Sequence, residues 1–83
     1  MPPFDAIDFA RHIQDRGRQR RYNEAQAREC IENPDRIIKT AQRGQRGGLI
    51  WKFRKSFGGR TLQIVAEIYQ NRCYVITGYW LND

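Results

Sequence analysis

One stretch near the start of the chain, His12-Ile13-Gln14-Asp15-Arg16-Gly17-Arg18-Gln19-Arg20, carries residue types suited to acid–base chemistry on a polyanion. Side chains four apart on an α-helix stack on one face. That spacing gathers His12, Arg16 and Arg20 into a ridge with one imidazole and two fixed cations. Imidazole titrates near neutrality, and guanidinium presents a planar fork matched to phosphate oxygens. Together they could hold a phosphodiester and move a proton beside it. The competing reading is a solvated basic helix face with a capped or half-buried His12, since charge runs usually face solvent. Gly17 is the weak point of such a helix, costing about 1 kcal/mol relative to Ala. A helix that stops there takes Arg20 off the ridge.

Metal-free RNA cleavage needs a base for the 2′-hydroxyl, an acid for the leaving 5′-oxygen and cations on the phosphate. Two sets of residues could supply these. The first is His12 with Arg16 and Arg20, joined by the hydroxyls of Thr77 and Tyr79 near the end of the last strand pattern. The second is Glu67 as base between Lys52 and Arg54, with Tyr69, Tyr74 and Trp80 as surfaces on which bases stack. Arg43 and Arg46, in the basic loop Gln42 to Gly48, add further cations for RNA. No metal-ligand spacing, Walker-type phosphate loop or Ser/His/Asp triad is present, so neither metal nor cofactor is expected.

The elements that must position these residues follow from composition and pattern. At 83 residues the chain is read as a single domain over 1–83, with one modest core. It is 40% hydrophobic and 29% charged, which suits a globular rather than a disordered protein. The formal net charge of +6, mostly arginine, favours a polyanionic partner. No apolar run approaches membrane-spanning length and the start does not read as a signal peptide, so a cytoplasmic protein without a membrane partner is expected. Cys30 and Cys73 fall in apolar patterns and are expected as buried free thiols.

Asp5 is a candidate N-cap, and Ile7, Ala10 and Ile13 make an apolar stripe, predicting a first helix from about residue 5 to 20. Asn23 with Gln26 reads as a capping box opening a short second helix, buried through Ala27, Cys30 and Ile31 and ended by Asn33-Pro34. Residues 36–40 read as an edge strand, and 49–55, 61–69 and 73–80 as alternating strands. Gly58-Gly59 and Gln70-Asn71 are hairpin turns. The fold class is then α+β, two N-terminal helices packed on a four-stranded antiparallel sheet. Unbroken alternation puts Leu49, Trp51, Phe53, Leu62, Ile64, Ala66, Ile68, Cys73, Val75, Thr77 and Tyr79 under the helices. Ile50, Lys52, Arg54, Gln63, Val65, Glu67, Tyr69, Tyr74, Ile76 and Trp80 fall on the other face, which separates the two candidate sets.

The pattern His12-x-x-x-Arg16-x-x-x-Arg20-x-Tyr22-Asn23, the helix ending Glu32-Asn33-Pro34-Asp35 and the closing Val75-Ile76-Thr77-Gly78-Tyr79 carry a family resemblance. From about Phe9 to Tyr79 the chain resembles the prokaryotic domain of unknown function 4258 family, grouped with the barnase, EndoU, colicin and RelE-like fold. That resemblance implies a RelE- or colicin-like architecture and a metal-independent endoribonuclease used as a toxin. It marks His12, Arg16, Arg20 and Thr77 as the functional positions. Gly17-Arg18 inside the expected helix and Tyr22 in place of an aliphatic residue depart from the family pattern.

The expected function is thus an endoribonuclease toxin acting on RNA in the cytoplasm and held in check by an acidic antitoxin or immunity protein. The alternatives are a basic module that binds nucleic acid without cutting it, and a protein-interaction domain in which the aromatic sheet face forms a homodimer.

Overall fold

The computed structural model describes residues 4–9 and 22–81. Its elements are β1 (Ala6–Phe9), α1 (Glu24–Glu32), β2 (Arg36–Arg43), β3 (Leu49–Phe57), β4 (Arg60–Tyr69) and β5 (Arg72–Trp80). The strands form one sheet in the order β1-β5-β4-β3-β2, antiparallel from β2 to β5 and parallel between β1 and β5. The expectation of two helices on a four-stranded antiparallel sheet is therefore corrected. Among the described residues this is a five-stranded mixed sheet with one helix.

The error lies at Ala6–Phe9, where a helix was expected. Ile7 and Phe9 pack against the core while Ala6 and Asp8 face out, which is the period of a strand. Over four residues that period and the start of a helical stripe both use Ile7. Asp5 does not cap a helix. Its N–H donates to Asn71 O at 2.9 Å and its Oδ1 accepts from Asn71 Nδ2 at 3.2 Å, which ties β1 to the β4–β5 turn. β1 then covers the edge that β5 would otherwise present unpaired. His12, Arg16 and Arg20 lie outside the described residues.

α1 forms as its sequence dictates. Asn23 Oδ1 accepts from the Gln26 N–H at 2.8 Å, and Gln26 Oε1 accepts from the Asn23 N–H at 3.1 Å, completing the capping box. Ala27, Cys30 and Ile31 are buried against β3 and β4. There they meet Phe53, Leu62, Ile64, Ala66, Cys73 and Val75, with Phe4 and Tyr22 closing the cluster. The two hairpins use left-handed backbone at both turn positions, Gly58 (φ 58°) with Gly59 (φ 89°) and Gln70 (φ 51°) with Asn71 (φ 60°). Both cysteines are free and buried, and burial pushes each thiol up to about 12. Among the described residues no helix is long and apolar enough to cross a membrane.

One irregularity rearranges the faces. Val65 pairs with Thr77 but Ala66 pairs with Val75, so Ile76 is an extra residue in β5. Beyond this β-bulge the alternation of β5 is inverted. Gly78 and Trp80 turn toward α1, and Trp80, 7% exposed, joins the core against Phe57. Thr77 and Tyr79 turn to the opposite face. The expected placement of Thr77 and Tyr79 under the helices, and of Trp80 on the far face, is corrected accordingly. A dimer built on an exposed Trp80 loses its contact residue.

Candidate nucleic-acid interface

Cross-strand pairs point their side chains to the same side of a sheet, so the register writes the face opposite α1 as three rows. The first runs Asp8, Tyr74, Glu67, Ile50. Next come Thr77, Val65, Lys52 and Ile38, and then Tyr79, Gln63, Arg54 and Arg36. Successive rows lie about 7 Å apart along the strands. The hydroxyl residues Thr77 and Tyr79 and the cations Lys52 and Arg54, which unbroken alternation separates, are thus brought onto one face by the bulge.

Glu67 does not sit between Lys52 and Arg54 as expected. Its cross-strand neighbours are Ile50 and Tyr74, while Lys52 faces Val65 and Arg54 faces Gln63. The Glu67 carboxylate is 1% exposed and anchors the β2–β3 loop. Its Oε2 accepts from the Arg46 N–H at 2.9 Å and the Gly48 N–H at 2.8 Å, and the Arg46 guanidinium lies 3.4 Å from Oε1. Gly44 and Gly48 are required here, because a Cβ at Gly44 would run into the Glu67 carboxylate and one at Gly48 into the Ile68 carbonyl oxygen. The β2–β3 loop is therefore wrapped on a buried anion. Two backbone donors and a cation on its oxygens give Glu67 a loop-building role in this geometry.

That wrapping fixes the loop's arginines. Arg46, with a side chain 44% exposed, lies over the Tyr74 ring at 3.8 Å, and Arg43 Nη1 donates to Gly47 O at 2.8 Å. Both border a cleft of about 680 Å³ whose other walls include Asp8, Gln45, Tyr74 and Ile76. A stacked guanidinium on an aromatic ring is a platform for a base or a phosphate.

At the other end of the face, Gln63 is 2% exposed and uses both ends of its amide. Its Oε1 accepts from Arg54 Nε at 2.7 Å and its Nε2 donates to Tyr79 Oη at 2.6 Å. Between described residues the ion pairs are Glu67 with Arg46 and Asp35 with Lys55. Lys52, Arg54 and Arg36 have no carboxylate partner there, although Lys52 and Arg54 are half-buried.

No family model, curated protein or solved structure matches this chain.

Of the residues singled out from sequence, Thr77, Tyr79, Lys52 and Arg54 share a face with Glu67, and Arg43 and Arg46 border the cleft at its end. Tyr69 and Tyr74 stay on that face and Trp80 leaves it. Sequence reasoning missed the roles of Gln63, Arg36 and Asp8. Gln63 lay on the right face, but nothing in the run Leu62-Gln63-Ile64 tells a buried glutamine from an exposed one. A cue to the bulge was present in Gly78, since glycine inside a strand marks a bulge or a close approach. A Cβ there would come within 2.6 Å of Ile64 Cδ1 and 2.7 Å of Tyr22 Oη.

Proposed function

We propose that this chain binds RNA on the sheet face opposite α1 and cleaves it without a metal, as an endoribonuclease of the toxin type. The observation that carries the reading is the bulge at Ile76, which puts Thr77 and Tyr79 on the same face as Lys52 and Arg54, across Val65 and Gln63 of β4. Cations there have no acidic partner among the described residues, and two tyrosines supply stacking surfaces. In the cleavage step the 2′-oxygen attacks phosphorus as its proton passes to a base, and the departing 5′-oxygen receives a proton from an acid. The product is a 2′,3′-cyclic phosphate. His12 is the proton-transfer group of this proposal, with Arg16 and Arg20 on the phosphate. The toxin role and an acidic antitoxin or immunity protein as partner come from the family resemblance alone.

A second reading, RNA binding without cleavage, is favoured by the engagement of Glu67, whose oxygens are taken up by the loop. Incubation with mixed cellular RNA separates the two. Cleavage that persists in EDTA, leaves cyclic phosphate ends and drops about 10²- to 10⁴-fold in His12→Ala supports the enzyme. Binding with no cleavage by any variant supports the second reading, and cleavage lost in EDTA contradicts the metal-free step.

A further inference from the structure

Arg54 and Arg36 are directly opposed in the β2–β3 register. Like charges facing one another across a strand pair repel, and Cβ atoms in such pairs are about 5 Å apart. A sheet usually relieves this with a carboxylate. The nearest in sequence, Asp35, is committed elsewhere, accepting from the Ser56 N–H at 2.8 Å and lying 4.0 Å from Lys55 Nζ. Glu67 is committed to the β2–β3 loop.

The guanidinium of Arg54 is nonetheless held in place. Gln63 Oε1 takes the Nε–H, which aligns the fork and leaves the two Nη groups uncommitted among the described residues. The same amide holds the Tyr79 hydroxyl on the flank of the fork. A buried glutamine that spends both amide ends on neighbouring side chains fixes their geometry, because its own rotamer is locked by packing. Two opposed cations, one of them aimed and half-buried, form a socket for an anion with several oxygens.

We propose that Arg54 and Arg36 form a phosphate-binding site on this face, and that Gln63 is the positioning residue that aims Arg54 at it. The proposal rests on the reading of the face as RNA-binding. Its ligand chemistry is a phosphate group with at least two free oxygens, supplied by an RNA phosphodiester or by free phosphate.

The test measures affinity for two probes, inorganic phosphate and a short single-stranded RNA oligomer without terminal phosphates. Variants are Arg36→Ala, Arg54→Ala, Arg54→Lys, Gln63→Leu and the double variant Arg54→Lys/Gln63→Leu, each checked by thermal melting. Arg36→Ala and Arg54→Ala weaken binding about tenfold or more, the scale of a charge-assisted hydrogen bond. Arg54→Lys keeps the charge but breaks the bond to Gln63 and loses comparable affinity. Gln63→Leu matches it, and the double variant is no worse than either single one, because both remove the same alignment. Additive losses, or full affinity in Gln63→Leu, overturn the positioning role. Should Gln63→Leu fail to fold, full affinity in Arg54→Lys overturns it equally. Undiminished binding of both probes by Arg54→Ala and Arg36→Ala overturns the site while leaving the face reading intact. Binding of inorganic phosphate but not of the oligomer supports the site and removes the RNA reading. Binding of neither probe by the wild-type protein overturns both.

Discussion

Replacing Glu67 distinguishes a loop anchor from a catalytic base. Truncation in Glu67→Ala leaves the Arg46 and Gly48 N–H groups without their acceptor in a buried setting. A buried donor left unpaired costs about 1–3 kcal/mol, so two cost roughly 2–6 kcal/mol, with the 3.4 Å contact to half-exposed Arg46 adding little. Glu67→Gln is milder. Its amide oxygen can still accept from both N–H groups, so two charge-assisted bonds become neutral ones at a loss of about 1 kcal/mol. In a domain of this size 1 kcal/mol moves the melting temperature by about 4–8 °C. Urea unfolding followed by tryptophan fluorescence reads both variants. An unchanged midpoint in Glu67→Ala refutes the anchor, and a Glu67→Gln protein of full stability that loses all cleavage makes Glu67 the base instead.

Three further outcomes follow from the fold. The Cys30 and Cys73 thiols are raised from 9.0 to about 12 by burial, so the unfolded chain releases these protons first. The stability they contribute is complete below about pH 9 and falls as pH rises toward 12, which pH-dependent urea midpoints compared with a Cys30→Ala/Cys73→Ala variant would show. Replacing Gly58 and Gly59 with Val places β-branched residues at φ 58° and 89° and lowers stability by about 2 kcal/mol or more, and an unaltered unfolding midpoint would contradict that turn. Gly78→Ala pushes a methyl against Ile64 and Tyr22 and costs about 1–3 kcal/mol, whereas a neutral effect in thermal melts would mean that the bulged end of β5 packs differently.

Local signals were legible where they acted locally. Asn23 and Gln26 announced the start of α1, Gly58-Gly59 and Gln70-Asn71 the hairpins, and alternation in β3 and β4 the two faces. What failed depended on partners distant in sequence. Ala6–Phe9 is a strand because Arg72–Trp80 offers it an edge, and four residues cannot declare that alone. The faces of Thr77, Tyr79 and Trp80 turn on a single inserted residue, which a strict period of two cannot register. Glu67 read as a candidate base because acidic residues in strands look alike until their donors are known, and those donors lie about twenty residues away in a glycine-rich loop.

The central claim, that the face opposite α1 grips RNA, is tested most directly by the salt dependence of binding to a single-stranded RNA oligomer. Each phosphate contact contributes about −0.7 to the slope of log affinity against log salt. Wild-type protein should bind with a steep negative slope, and Lys52→Ala/Arg54→Ala should be shallower by about 1.4 and weaker at every salt concentration. An unchanged slope and affinity in that double variant would contradict the claim.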